Sequence, residues 1–70
     1  MGRHGVRSNL TPRELEIIRN IVNGHTRLEV ASTLRISKNT VDTYLRRVYQ
    51  RLGTHTIVET VVYLMRNGVL

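Results

Sequence analysis

The chain has 70 residues, with 11 Lys and Arg against 5 Asp and Glu, a formal net charge of +6 and an isoelectric point near 11.2. A chain this short forms one small domain, and the absence of cysteine excludes a disulfide framework and a thiolate metal site. Ten of the eleven cations are arginine, which favours a polyanionic partner, either nucleic acid or anionic lipid. Because no apolar run is long enough to span a membrane and residues 1–9 lack a signal-peptide core, we expect a cytoplasmic protein.

Residues 1–9 contain two glycines and two arginines but few apolar side chains, so we predict a flexible arm. Arg3 and Arg7 could enter a DNA minor groove, or they could simply remain solvated. We expect the ordered domain to occupy residues 10–70.

Two capping boxes mark the starts of the first two helices. Thr11 and Glu14 have the spacing of such a box, and the first helix is predicted to continue until Gly24. Thr26 and Glu29 repeat the pattern and predict a second, shorter helix. The buried side of this short helix is expected to consist of Leu28 or Val30, together with Ala31 and Leu34.

The connection to the third helix is very short. Only Arg35 and Ile36 separate the second helix from Ser37, whose hydroxyl is suited to cap the next one. Two helices joined by so tight a turn, with small Ala31 where they approach, predict a helix-turn-helix. In such a unit the second helix of the pair is the one presented to DNA.

The third helix is predicted over residues 38–52, with Gly53 as the left-handed residue just beyond its end. Its apolar positions recur at helical spacing on one face: Val41, Leu45, Val48 and Leu52. The opposite face is polar and mostly cationic: Asn39, Asp42, Thr43, Arg46, Arg47 and Gln50. A helix of this width fits the major groove of DNA, although an ordinary amphipathic surface helix has the same pattern.

The last helix is predicted between a capping box at Thr56 and Glu59 and a stop at Gly68. It carries two apolar stripes, one of Ile57, Val61 and Leu64, and a second of Val58, Val62 and Met65. One stripe can pack on the domain, and the other either widens the core face or forms an interface. We expect the second stripe to mediate a homodimer.

Three separated segments carry a family resemblance: LTPRELEII at 10–18, LRISKNTV at 34–41 and RLG at 51–53. Their order and spacing resemble the LuxR/GerE-type DNA-binding domain, also found as the NarL/FixJ output module and in short free-standing GerE-like proteins. The resemblance implies an all-α, four-helix bundle-like domain with a central helix-turn-helix. It also implies that the third helix enters the major groove and that the fourth often mediates dimerisation.

The resemblance also assigns roles by position. The base-facing positions of the family fall on Asp42, Thr43 and Arg46. Its contacts to the DNA backbone fall on Thr26, Lys38, Thr40 and Arg47. The chain departs from the family at four positions: Leu28 and Asp42 stand where Lys is usual, Tyr44 where His is frequent, and Ile57 where Arg is frequent.

Asp42 therefore has two interpretations. Its carboxylate could accept a hydrogen bond from the amino group of cytosine. It could instead pair with Lys38 or Arg46, each four residues away on the same helix face, and this pairing is the interpretation that we favour.

No catalytic site, metal site or cofactor is expected. The histidines His4, His25 and His55 are scattered, and three of the five acidic residues have the spacing of capping residues. We therefore predict a sequence-specific regulator of transcription that binds double-stranded DNA as a homodimer, with RNA polymerase or another regulator as a further partner and no membrane association. The alternative is a protein-binding module that has lost DNA affinity and binds or antagonises a related regulator through its last helix.

Overall fold

The computed structural model describes residues 10–70, and these residues form four helices with no strand among them. The helices are α1 (Pro12–Val22), α2 (Arg27–Leu34), α3 (Lys38–Leu52) and α4 (Ile57–Arg66). The predicted all-α fold is thus confirmed, including both ends of α3. The arm predicted at residues 1–9 lies outside the described residues.

Each helix begins at the predicted capping residue. The hydroxyl oxygens of Thr11 and Thr26 accept hydrogen bonds from the backbone N–H groups of Glu14 and Glu29, whose carboxylates accept from the capping N–H groups in return. These reciprocal pairs satisfy donors that the first turn of a helix leaves without an intrahelical acceptor. At the start of α3 the Ser37 hydroxyl oxygen accepts from the N–H of Thr40, and no carboxylate in the first turn returns the contact.

The third predicted capping box, at α4, is only half formed. The Thr56 hydroxyl oxygen accepts from the Glu59 N–H at 3.0 Å, as predicted. The Glu59 carboxylate, however, accepts from the backbone N–H of His55 at 2.6 Å and not from that of Thr56. The Glu59 carboxylate thus satisfies the backbone N–H of the residue before the cap. The Nδ1 atom of the His55 ring also lies 3.6 Å from this carboxylate.

The turn between α2 and α3 depends on one residue in an unusual conformation. Arg35 is the only described residue other than glycine with a positive φ, at 59° with ψ at 44°. This left-handed conformation allows the Ile36 N–H to donate to the Ala31 carbonyl at 3.0 Å and so closes the turn within two residues. The compactness of the helix-turn-helix therefore comes with local backbone strain.

Replacing Arg35 with Gly is expected to raise the free energy of unfolding by about 0.5–1 kcal/mol. Relief of the left-handed strain contributes about 1–2 kcal/mol, and the greater freedom of glycine in the unfolded chain offsets about half of it. Urea unfolding followed by circular dichroism measures the change. Ser32→Gly, inside α2, is the matched control and should destabilise the protein.

The core brings together residues from all four helices, with α3 packed against each of the other three. Its fully buried apolar side chains are Ile17, Ile18, Val30, Ala31, Val41, Leu45, Val48 and Leu64. Of the two residues predicted as alternatives for the buried side of α2, Val30 is the buried one and Leu28 is 66% exposed. Of the apolar face predicted for α3, Val41, Leu45 and Val48 are buried and Leu52 is half-buried against the core.

An ion pair between buried Glu14 and partly exposed Arg51 links α1 to α3. The Glu14 carboxylate accepts from Arg51 Nη1 at 2.6 Å and from Arg51 Nη2 at 3.0 Å, across 37 residues of sequence. Hydrogen bonding to the Arg51 guanidinium holds the pKa of Glu14 below its usual value, against the opposing effect of burial. The pair thus adds a polar contact between α1 and α3 to the apolar packing of the core.

A second polar contact fixes the turn between α3 and α4. The Thr60 hydroxyl is fully buried and donates its proton to the Thr56 carbonyl at 2.8 Å. Because a hydroxyl has one proton, Thr54 must be the donor in the 2.7 Å contact between the Thr54 and Thr60 hydroxyls. Two linked hydrogen bonds thus hold the turn, one from the Thr54 hydroxyl to the Thr60 oxygen and one from the Thr60 hydroxyl to the Thr56 carbonyl.

Candidate nucleic-acid interface

The helix-turn-helix consists of α2, the turn at Arg35 and Ile36, and α3. Along α3 the side chains Val41, Leu45 and Val48 are buried, so the helix cannot rotate without exposing its apolar face. On the opposite side of the helix Arg46, Arg47 and Gln50 are exposed, and Asp42 and Thr43 are partly exposed. The helix-turn-helix therefore presents a polar, cationic face of α3 to solvent, while the opposite face of α3 is held by packing against the core.

Arg46 and Arg47 carry the exposed charge at the centre of this face. Within residues 10–70 neither side chain makes a hydrogen bond or an ion pair, unlike Arg27 and Arg51, which are both paired with carboxylates. Each guanidinium therefore keeps its full set of N–H donors. Such donors can make bidentate contacts to a phosphate or to the O6 and N7 atoms of guanine.

The three threonines assigned to DNA contacts by the family resemblance differ in the hydrogen-bonding capacity that their hydroxyls retain. The Thr43 hydroxyl donates to the Asn39 carbonyl at 3.0 Å, which leaves its methyl group and its oxygen lone pairs. The Thr26 oxygen accepts from a backbone N–H, so its hydroxyl proton remains. The hydroxyls of Thr40 and Ser37 share a 2.9 Å hydrogen bond. Thr26 thus retains a donor for phosphate, and Thr43 retains a methyl group that suits thymine.

Asp42 is paired on both sides. Its Oδ2 accepts from Lys38 Nζ at 2.9 Å, so the predicted pairing along the helix is confirmed for Lys38 and not observed for Arg46. Its Oδ1 accepts from Arg27 Nη1 at 3.1 Å, a contact between α2 and α3 that was not predicted. The hydrogen bond from Lys38, aided by that from Arg27, holds the pKa of Asp42 below its usual value.

The tyrosines lie at the edge of the core. Tyr44 and Tyr49 are half-buried and pack against the core cluster, as core or rim residues do, and not as free stacking platforms for bases. The Tyr49 hydroxyl is at 3.4 Å from Arg27 Nη2, where it can accept a hydrogen bond. Tyr63, on α4, is more exposed.

The two stripes of α4 differ in burial. In the first stripe Leu64 is buried, and Ile57 and Val61 are half-buried against the core. The second stripe, which we call the α4 patch, consists of Val58, Val62 and Met65, exposed by 69%, 40% and 60%. Beside it, a shallow apolar groove runs along the end of α1, where Val22 is also exposed.

The described part of the chain contains neither a cluster of metal ligands nor a membrane-spanning helix. Among residues 10–70 no group of three or more His, Cys, Asp or Glu side chains is placed to hold a metal ion. None of the four helices has the length and apolar character needed to cross a membrane. The features that remain are the cationic face of α3 and the α4 patch.

A four-helix domain whose α2 and α3 form a helix-turn-helix belongs to the class of helix-turn-helix modules. Residues 8–64 match the GerE family, described as bacterial regulatory proteins of the luxR family. The chain belongs to this luxR family of bacterial regulatory proteins, as its resemblance to LuxR/GerE-type domains predicted.

Several curated relatives are similar to this chain. The HTH-type transcriptional activator RamA of Corynebacterium glutamicum is 40% identical over 63 residues, which cover 90% of this chain and 22% of RamA. The uncharacterised response regulatory protein YgeK of Escherichia coli K12 is 34% identical, over 96% of this chain and 46% of YgeK. The uncharacterised transcriptional regulatory protein YxjL of Bacillus subtilis is 32% identical, over 86% of this chain and 28% of YxjL. The chain thus spans less than half the length of each relative, and no solved structure matches it significantly.

Proposed function

We propose that the chain binds double-stranded DNA through α3 in the major groove and thereby regulates bacterial transcription. The observation that carries this proposal is the position of Arg46 and Arg47, exposed on the outer face of a helix whose other face buries Val41, Leu45 and Val48. An α-helix fits the width of the major groove, and guanidinium groups supply the donors that phosphates and guanine accept. The net charge of +6 adds a long-range attraction for DNA.

Base contacts are assigned to Thr43 and Arg46. The guanidinium of Arg46 has its donors available for guanine, and the Thr43 methyl group suits the methyl group of thymine. Asp42, the third position that the family resemblance assigns to bases, already has a cation on each carboxylate oxygen. Sequence discrimination should therefore depend more on Arg46 than on Asp42.

Backbone contacts are assigned to residues at the edges of the helix-turn-helix. Thr26 lies at the start of α2, where the hydroxyl proton and the N-terminal end of the helix dipole both favour a phosphate. Lys38 and Thr40 lie in the first turn of α3, and Arg47 lies near its middle. These contacts position the protein on the duplex without reading its sequence.

The test of DNA binding is the salt dependence of affinity for a duplex of random sequence, measured by fluorescence anisotropy. The logarithm of the association constant should fall linearly with the logarithm of salt concentration, with a slope of about −0.9 for each phosphate neutralised. An affinity that does not change with salt contradicts the proposal and favours the protein-binding alternative. Mixing the protein with longer relatives would then identify which of them it binds.

Arg47→Ala is expected to reduce the steepness of this salt slope by about 0.9, because one phosphate contact is lost. The affinities for random and selected duplexes should fall by the same factor, since a phosphate contact carries no sequence information. Anisotropy titrations at several salt concentrations give both quantities. Arg66→Ala, on the last turn of α4, is the control and should leave the slope unchanged.

We also propose that the chain binds DNA as a homodimer through the α4 patch. Val58, Val62 and Met65 form a contiguous apolar surface that the described residues leave exposed. A twofold axis through this surface would place identical patches against each other and present two copies of α3 to successive half-sites. RNA polymerase or another regulator would then contact surfaces outside the two helix-turn-helix units.

A further inference from the structure

We propose that Arg27 is an additional phosphate contact of the DNA interface, and that Asp42 and Tyr49 position it without contacting a base. The inference rests on the proposed DNA binding and adds to it a residue that the family resemblance does not assign. It also gives Asp42 a role, that of a positioning residue, which differs from the base-reading role implied by the resemblance.

The first argument is geometric. Arg27 is the first residue of α2, and its two terminal nitrogens reach across to α3. Nη1 donates to Asp42 Oδ1 at 3.1 Å, and Nη2 lies 3.4 Å from the Tyr49 hydroxyl oxygen. Asp42 and Tyr49 are seven residues apart, which is about two turns of helix, so they present their oxygens on the same face of α3. The planar guanidinium is thereby held between them in a defined orientation.

The second argument concerns the hydrogen-bonding capacity that remains. A guanidinium has five N–H donors, and Arg27 uses two of them in these contacts. Its side chain is 40% exposed, so the remaining donors are open to solvent. Asp42, in contrast, has a cation on each oxygen and little capacity left for a cytosine amino group. Of Arg27 and Asp42, the one with hydrogen-bonding capacity left for DNA is therefore the arginine.

The third argument is electrostatic. Lys38 and Arg27 both lie within 3.1 Å of the Asp42 carboxylate, so two cations stand close together around one anion. The carboxylate reduces their mutual repulsion and leaves a net charge of one, with ammonium and guanidinium donors pointing outward. A phosphate that reaches this cluster gains contacts from both helices of the helix-turn-helix at once.

The position of Arg27 indicates which part of the DNA it would contact. In a helix-turn-helix the first helix crosses the DNA backbone while the second lies in the groove. Arg27 begins that first helix next to Thr26, and it is the only cationic residue in α2. The following residue, Leu28, is exposed and has no charge to offer a phosphate. Arg27 thus supplies the cation of α2 at the end where the helix dipole also attracts an anion.

The test compares Arg27→Gln with Arg13→Gln, because Arg13 is similarly exposed, pairs with Glu16 at 3.4 Å and lies on α1, outside the proposed interface. Arg27→Gln should reduce the steepness of the salt slope by about 0.9 and weaken random-duplex binding about eightfold at 0.1 M salt. Arg13→Gln should change neither quantity. Arg27→Lys keeps the charge and should restore the slope, which a purely structural role of Arg27 would not predict.

The positioning role of Asp42 is tested in a double-mutant cycle. Arg27→Gln should weaken binding less in an Asp42→Asn background than in the parent, because an arginine that is no longer held contributes less. Asp42→Asn alone should leave the bases selected from a randomised duplex pool unchanged. Thermal unfolding of each variant establishes that the proteins are folded at the assay temperature.

The outcomes separate the inference from the function on which it rests. If the parent shows no salt-dependent DNA binding, the proposed function fails. If the parent binds with a steep slope but Arg27→Gln has the same slope as Arg13→Gln, Arg27 is not a phosphate contact. Equal effects of Arg27→Gln in both backgrounds, or a base preference altered by Asp42→Asn, overturn the positioning role of Asp42.

Discussion

Replacing Glu14 with Ala is expected to lower the free energy of unfolding by about 2–3 kcal/mol, the largest effect on stability that we expect from a polar substitution. The Glu14 side chain is only 4% exposed and its carboxylate accepts two hydrogen bonds from Arg51 and one from the Thr11 N–H. The substitution removes the α1 capping box and the countercharge of a partly buried guanidinium at the same time. Breaking a fully buried pair costs about 3–5 kcal/mol, and the 35% exposure of Arg51 reduces this value.

Urea unfolding at neutral pH measures the effect, with Glu16→Ala as the control. Glu16 also pairs with an arginine, but both side chains of that pair are exposed and 3.4 Å apart. Its removal should change the free energy of unfolding by less than about 0.5 kcal/mol. A similar loss for both variants would mean that the partly buried pair of Glu14 and Arg51 contributes no more than an exposed pair does.

The Glu14 pair also predicts a direction of pH dependence. The pKa of Glu14 in the folded protein lies below its usual value of 4.5, chiefly because of the hydrogen bonds from Arg51. Its contribution to stability is therefore fully present above about pH 4.5 and is lost as the pH falls through the lower folded-state pKa. The difference in stability between the parent and Glu14→Ala should narrow steadily on acidification from pH 5. A difference that is constant down to pH 3 would contradict the assignment.

Local signals in the sequence were sufficient to predict where the helices lie. Ser37 and Gly53 mark the two ends of α3, because a hydroxyl cap and a left-handed glycine each satisfy backbone groups within a few residues. The buried face of α3 follows from the spacing of its apolar residues. These predictions were accurate because each depends on interactions between residues that are close together in the chain.

Contacts between helices could not be predicted in the same way. Glu14 has the spacing of a capping residue and does cap α1, yet the same carboxylate also binds Arg51, 37 residues later. Asp42 was expected to pair within its own helix, and the additional contact with Arg27 depends on how α2 packs against α3. A sequence pattern gives the side of a helix on which a residue lies, but not which residue of another helix faces it.

Two smaller differences have the same origin. Thr60 is a polar residue on the core-facing side of α4, three residues after Ile57 and four before Leu64. It can be completely buried there because its hydroxyl bonds the Thr56 carbonyl and the Thr54 hydroxyl, and the contact with Thr54 comes from outside the helix. The left-handed conformation of Arg35 is needed because α2 and α3 are joined by only two residues. No local signal distinguishes this arginine from one in an ordinary turn, since glycine or asparagine would be the usual residue there.

Val62→Asp is expected to produce a folded monomer that binds a selected operator on the order of 100-fold more weakly than the parent. Val62 lies at the centre of the α4 patch and is 40% exposed, so its replacement carboxylate can reach water in the monomer. Across a twofold axis the same carboxylate would lie in an apolar seam opposite its own copy, where an unpaired charge is costly. The helix content should therefore remain close to that of the parent while self-association is lost.

Analytical sedimentation of both proteins at tens of micromolar measures this effect, with Leu28→Asp as the matched control. Leu28 is 66% exposed, close to the 69% of Val58, but it lies on α2, away from the patch. An aspartate there should leave self-association intact, whereas Val58→Asp should reproduce the loss caused by Val62→Asp. If the parent already sediments as a monomer, or if Leu28→Asp dissociates it equally well, the α4 patch is not the dimer interface.

The expected loss of DNA affinity follows from the geometry of two linked half-sites. In a dimer, binding of one α3 to its half-site places the second α3 about one helical turn of DNA away, roughly 10 base pairs. The second contact is then effectively intramolecular, and its loss costs far more affinity than any single side-chain contact. Operators recovered from a randomised pool should accordingly be palindromic for the parent and single half-sites for Val62→Asp. Because the contacts of Arg46 and Arg47 are unchanged in that variant, the sequence of each half-site should be the same in both pools.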